Sequence, residues 1–129
     1  MKIYARGVWV CLGVGTVEQE AKTIALPKGE PLTIELYVTD DAGVVRSLED
    51  ATVEFRLVNP LMPRQVLYRT NANASSSGQL SLGHATLNVN LPASIDAGTY
   101  HWEVWMTLGL SSHYRIVPLS AFLLLGSSR

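Results

Sequence analysis

The stretch Asp96-Ala97-Gly98-Thr99-Tyr100-His101-Trp102-Glu103-Val104-Trp105-Met106-Thr107-Leu108 decides the fold class. From Tyr100 onward it alternates: Tyr100, Trp102, Val104, Met106 and Leu108 share one face, and His101, Glu103, Trp105 and Thr107 the other. Successive side chains of a strand point to opposite sides, so this pattern predicts a strand with one buried and one wetter face. Working outward, the same period recurs three times. Leu32, Ile34, Leu36 and Val38 oppose Thr33, Glu35, Tyr37 and Thr39. Ala51, Val53, Phe55 and Leu57 oppose Thr52, Glu54 and Arg56, and Ala85, Leu87, Val89 and Leu91 oppose Thr86, Asn88 and Asn90. Turn chemistry separates the runs. Asp40-Asp41-Ala42-Gly43 offers a glycine for positive φ. Asn59-Pro60-Leu61-Met62-Pro63 halts a ladder, since neither proline has an N–H. Residues 71–78, rich in Asn, Ala and Ser, read as a flexible loop, and Leu108-Gly109-Leu110-Ser111-Ser112 closes the last hairpin. Helical periodicity is limited to a short candidate over 17–23. The expectation is an all-β fold, an antiparallel β-sandwich of about seven to eight strands.

Asp96-Ala97-Gly98-Thr99-Tyr100 resembles the D-x-G-x-Y segment that opens the penultimate strand of immunoglobulin-type (Ig-like) sandwiches. The resemblance implies a structural corner built from Asp96, Gly98 and Tyr100, with the tyrosine hydroxyl bonded back to nearby backbone. Antibody domains carry a cysteine two residues after the tyrosine. Trp102 stands there instead, and is expected to fill the space of the intersheet disulfide.

At 129 residues the chain is sized for a single domain, 1–129. With 47% hydrophobic residues it has the material for a packed core. Its one cysteine, Cys11, excludes an intramolecular disulfide, a zinc ribbon and a CxxC redox motif. Only 16% of residues are charged, against a usual ~25%, a shortfall that points to surface covered by a partner. The net charge of −1 removes the electrostatic basis for nonspecific nucleic-acid binding. No apolar run approaches the ~18–20 residues of a membrane-spanning helix, so neither nucleic acid nor membrane is expected as a partner.

The two ends depart from alternation. Lys2 and Arg6 precede the apolar run Val8-Trp9-Val10-Cys11-Leu12-Gly13-Val14, which imitates a short export signal. No small-residue cleavage site follows in Thr16-Val17-Glu18-Gln19-Glu20, so residues 8–14 read as a strand. It is apolar on both faces, as is Ile116-Val117-Pro118-Leu119-Ser120-Ala121-Phe122-Leu123-Leu124-Leu125. Two readings stay open. Either the terminal strands pair with each other, with Pro118 at a bulge where the last strand changes sheets, or they meet another subunit.

Candidate chemistry is thin. His101 and His113 are placed to face each other across the last hairpin, but with His84 they make no metal-ligand spacing. Cys11 lies in an apolar run and reads as a buried, inert thiol. Asp40-Asp41 and Glu49-Asp50 lack an EF-hand spacing and read as turn carboxylates rather than a calcium site. No nucleophile elbow, phosphate loop or dinucleotide fingerprint is present, so no catalytic residues, metal or cofactor are expected. The aromatic residues carry more. Trp105 is out of phase with its strand's core face and is expected either at an interface, under the 71–78 loop, or on a sugar-stacking platform with Tyr37. Trp9, Trp105, Phe122 and Leu124 are the expected interface residues. Nine of the eleven acidic residues fall between positions 18 and 54, and basic residues dominate thereafter. That asymmetry suggests a salt-sensitive head-to-tail association.

A wider resemblance covers residues 24–125. Lys28-Gly29-Glu30 leads into Leu32-Thr33-Ile34-Glu35-Leu36-Tyr37-Val38-Thr39-Asp40; a turn follows, then Ser47-Leu48-Glu49-Asp50-Ala51-Thr52-Val53-Glu54-Phe55 and the D-x-G-x-Y strand. This resembles the small Ig-like modules of tailed-bacteriophage virion proteins, in particular the N-terminal domains of baseplate upper proteins. The resemblance implies a non-enzymatic virion structural protein, an adaptor in the tail or baseplate. Its partners would be other virion proteins or further copies of itself. A capsid decoration protein is the close alternative, and a carbohydrate-binding module using Trp105 and Tyr37 the further one.

Overall fold

The four alternating stretches become strands with their apolar faces turned inward. The computed structural model describes residues 1–72 and 80–126. Among these residues eight strands are formed: β1 Lys2–Trp9, β2 Ile24–Pro27, β3 Leu32–Asp40, β4 Ala51–Asn59, β5 Met62–Asn71, β6 His84–Val89, β7 Gly98–Leu108 and β8 Ser112–Leu125, with a 3-10 turn at Leu80–Leu82. They make two sheets, ordered β1-β3-β6 and β2-β8-β7-β4-β5. Two packed sheets, with β1-β3-β6 in one and β4-β7-β8 adjacent in the other, are the immunoglobulin arrangement. Ile34, Leu36, Phe55, Leu57, Leu87, Trp102 and Phe122 are fully buried between the sheets. Phe55 sits at the centre, stacked on Trp102 at 5.9 Å and edge-on to Phe122 at 6.5 Å.

The sheets are not wholly antiparallel as expected. β1 runs parallel to β3, and β2 parallel to β8. Parallel neighbours need a crossover of a dozen or more residues, and the 22 residues between Trp9 and Leu32 supply it for β1 and β3. The segment between β1 and β2 leaves one sheet and joins the other. Over 17–23, where a short helix was expected, the chain is irregular. Its polar groups go to neighbouring elements: Gln19 Nε2 donates to the Val8 and Arg115 carbonyls at 2.9 and 2.6 Å, and Lys22 N–H donates to Ser120 Oγ at 3.1 Å.

Three further expectations are corrected. The N-terminal strand is not residues 8–14 but Lys2–Trp9, and Val10, Leu12 and Val14 lie beyond it, each about half exposed. Cys11 is exposed rather than buried. The terminal strands do not pair: β8 bonds to β7 and β2, and β1 only to β3. β1 instead packs across β8, so tightly that a Cβ on Gly7 would stand 3.1 Å from Ile116 Cδ1. A bulge does fall at Pro118, where Trp102 pairs with Ser120 but Val104 with Val117. β8 nevertheless remains beside β7 along its length and does not change sheets.

β5 was not marked by alternation. It is an edge strand, paired to β4 alone, and its residues from Gln65 to Asn71 are half-buried or exposed, so no apolar face needed to be written into it. As an edge it also tolerates Pro63. The expected 71–78 loop lies outside the described residues apart from Asn71, which ends β5, and Ala72, whose N–H donates to Val53 C=O at 2.8 Å.

Candidate functional site

The corner motif is assembled at the start of β7. Tyr100 donates its hydroxyl hydrogen to the Asp96 carbonyl at 2.6 Å, four residues back. Gly98 opens the strand beneath the Tyr100 ring. Trp102 is fully buried, and its Nε1–H donates to the Lys22 carbonyl at 2.8 Å. A buried tryptophan with its N–H satisfied thus occupies the intersheet space, tying the β1–β2 crossover to β7.

The residues expected at an interface do not come together. Phe122 and Leu124 are 0% and 3% exposed, on the inward face of β8, so they belong to the core and offer nothing to a partner. Their correction has a simple cause: an apolar residue in a buried strand and one in an interface look alike in a sequence. Trp9 is half-buried at the end of β1, 5.4 Å from the Tyr114 ring, with the Arg46 guanidinium 6.0 Å from its ring centre. Trp105 is half-buried on the outer face of the larger sheet, with the Arg56 guanidinium 5.1 Å from its ring and Glu54 ion-paired to Arg56. Neither indole N–H finds an acceptor among the described residues. Tyr37 points outward from the smaller sheet, between buried Leu36 and Val38. Trp105 and Tyr37 therefore stand on opposite outer faces of the sandwich, which removes the single sugar platform the two were expected to share. His101 pairs with Ala121 and His113 with Thr107, so the two histidines do not face each other either.

One end of the molecule gathers exposed apolar loops. The end of β1, the β3–β4 loop, the Leu80–Leu82 turn and the β7–β8 hairpin lie together there. They carry the exposed residues Val10, Leu12, Val14, Val44, Val45, Leu82 and Leu110. Two buried aspartates hold the first two loops. Asp40 accepts Ala42 N–H and Val44 N–H at 2.9 and 3.0 Å and pairs with Arg46 at 2.7 Å. Asp41 accepts Leu12 N–H at 3.0 Å and Val14 N–H at 2.9 Å, while its own carbonyl accepts Thr16 N–H and Val17 N–H. Gly13 and Gly15, at φ of 71° and 66°, let the chain curl around the carboxylate. This is why residues 10–15 do not extend as a strand despite their composition. Asp40-Asp41 is a pair of structural anchors, and no group of three or more metal-ligating side chains occurs among the described residues.

These contacts are expected to make the protein acid-sensitive. Burial pushes the carboxyls of Asp40 and Asp41 up, but the donated N–H groups, with Arg46 at Asp40, outweigh it and hold both below their ordinary value. Glu35 is lowered too, with burial opposed by His84, Thr86 and Lys2. A carboxyl that titrates lower when folded contributes stability that is complete above its unfolded pKa of about 4 and is lost as pH falls towards the folded value. Urea midpoints are therefore expected to be flat from about pH 7 to 5 and to drop below about pH 4. In Asp41→Asn the midpoint starts lower and the acid limb is shallower; an unchanged acid limb would contradict the assignment to Asp41.

The outer face of the smaller sheet carries a cluster that alternation did not reveal. Tyr37 lies flat against His84, 4.5 Å between ring centres, with Tyr4 next to it at 6.5 Å. Below them Glu35 bonds to His84 Nε2–H and to Thr86 Oγ at 3.0 Å, and Lys2 approaches it at 3.8 Å. Tyr37 pairs with His84 across β3 and β6, and Arg6 with Tyr37 across β1 and β3. The parity of each residue was readable, but the pairing that joins them was not. The acidic asymmetry is also smaller than its residue count: Asp40 and Asp41 are internal, Glu35 is nearly buried, and Glu54 is paired.

No protein family matches the chain by sequence profile, and no curated protein matches it by sequence. Among solved structures it is similar to the N-terminal domain of phage TP901-1 ORF48. The two share 12% sequence identity, the match covers 99% of this chain and 100% of that one, and the TM-score is 0.57. The likeness is one of fold.

Proposed function

We propose that this chain is a non-enzymatic structural protein of a tailed-phage virion. It acts as an adaptor in the tail or baseplate, docking on copies of itself or on neighbouring virion proteins. The observation that carries this reading is the end-to-end likeness in fold to a phage protein's N-terminal domain, which leaves almost no part of either chain unmatched. The resemblance of the strand and turn motifs over residues 24–125 to tailed-phage modules points the same way. The exposed apolar loops at one end of the sandwich fit a protein whose work is docking, since clustered exposed apolar residues mark interaction sites.

The test is quantitative mass spectrometry of purified particles, counting this chain against the major capsid protein. A handful of copies, in multiples of about three or six, is the expected result for a tail or baseplate station built on cyclic symmetry. Copies on the order of hundreds would move the chain to capsid decoration. Its absence from the particle would overturn the virion role.

A further inference from the structure

β1 is an edge strand, and its backbone polarity can be read from two bonds. Thr33 N–H donates to the Met1 carbonyl at 2.8 Å, so Met1 faces β3. The Val8 carbonyl accepts Gln19 Nε2–H, from the side away from β3. Along a strand the backbone groups alternate sides, so odd-numbered residues of β1 bond to β3 and even-numbered ones turn outward. The N–H and C=O of Tyr4 and Arg6 therefore point away from the sheet, and no backbone partner meets them among the described residues.

They open onto a groove of about 600 Å³. Tyr4, Ala5 and Arg6 of β1 and Tyr37 of β3 line one side, Glu20, Ala21 and Lys22 of the crossover the other, and Val117 of β8 completes the lining. The second wall is built rather than loose. Gln19 ties it to β1 and β8 at once, and Lys22 is held through its N–H by Ser120 and through its carbonyl by Trp102.

We propose that this groove receives one extended peptide segment bearing an acidic side chain, which adds to β1 as a strand. It names the kind of contact the docking role would use, and for the segment's source, an extended arm of a neighbouring virion protein, it rests on that role. Two features argue for this occupant. Unpaired backbone groups on a sheet edge are the template that strand addition uses. The charge is complementary, because Arg6 and Lys22, one on each wall, have no ion-pair partner among the described residues and only Glu20 opposes them. A carboxylate placed between them would complete the balance.

The full ¹⁵N-labelled chain tests this with the capped pentapeptide acetyl-Thr-Val-Glu-Val-Thr-amide and its counterpart with Lys for Glu. The Glu peptide is expected to shift the amide resonances of Tyr4 and Arg6 and slow their hydrogen exchange. It should bind at least about five-fold tighter than the Lys peptide, from the charge complementarity. N-methylation of its edge-facing amide should abolish the effect. The exposed double variant Arg6→Glu/Lys22→Glu should reverse the preference while leaving the unfolding midpoint near that of the parent. No change at Tyr4 and Arg6 at about 5 mM peptide, where even millimolar binding shows, would overturn the proposal. So would equal binding of the two peptides, or binding that survives N-methylation. The outcome is separable from the virion role: a chain absent from particles that binds the Glu peptide keeps its groove, and one present in particles that ignores it does not.

Discussion

Trp102→Ala is expected to remove about 3–5 kcal/mol of stability, the range for emptying a large aromatic site in a packed core. The side chain is fully buried and stacks on Phe55 at 5.9 Å with 21° between the ring planes. Its loss leaves a cavity beside Phe55 and orphans the Lys22 carbonyl, which accepts the indole N–H at 2.8 Å. Domains of this kind hold only about 5–15 kcal/mol in total, so the melting temperature should fall by roughly 10–20 °C. Trp102→Phe separates the two parts. It retains most of the ring contact but not the N–H, and should cost a smaller amount, about 1–2 kcal/mol. The consequence reaches beyond the core, because Lys22 belongs to the outer wall of the groove along β1. If Trp102→Ala melted within about 3 °C of the parent, less than 1 kcal/mol would be at stake and the account of the intersheet centre would be wrong.

Gly83→Ala is expected to be the second most damaging change, at about 2–4 kcal/mol. Two effects add there. Gly83 has a φ of 75°, which costs a residue with a Cβ about 1–2 kcal/mol. The added Cβ would also stand 2.7 Å from the Val38 carbonyl oxygen and 3.0 Å from that of Arg46. Neither can withdraw easily, because Val38 lies in the central strand of its sheet and its N–H donates to the Gly83 carbonyl at 2.8 Å. Gly109 is the control. Its φ is 64°, but nothing lies within 4 Å of where its Cβ would be. Gly109→Ala should therefore show the conformational cost alone, about 1 kcal/mol. Equal losses at the two positions, by urea or thermal unfolding, would show that close packing at Gly83 contributes nothing.

The difference between these two glycines also shows what a sequence can convey. Both directly follow a leucine, and it is the carbonyls of Val38 and Arg46, 45 and 37 residues earlier, that distinguish them. Alternation over 32–38, 51–57, 85–89 and 100–108 was enough to identify four strands and their inward faces. The reason is local: a pleated backbone sets the parity of neighbouring side chains whatever surrounds them. The D-x-G-x-Y corner was legible for the same reason, as its hydrogen bond spans four residues. The apolar stretch at 10–14 was misleading because Asp41, some 27–29 residues away, accepts its N–H groups and bends it out of the sheet.

Tertiary pairing settled the remainder. Parity showed that Trp105 and Tyr37 point outward, but their separation onto opposite faces depends on which sheet each strand joins. Hydrophobicity marked Phe122 and Leu124 for burial without saying against what, and they lie in the core between the two sheets rather than at an interface. The Tyr4, Tyr37 and His84 cluster and the groove beside β1 exist because β1 lies parallel to β3 at one edge and the crossover returns along β8. Strand parity comes from covalent neighbours and can be read residue by residue. Sheet order and edge exposure come from contacts between distant segments, each favourable only when the others are in place, and no window along the chain contains them.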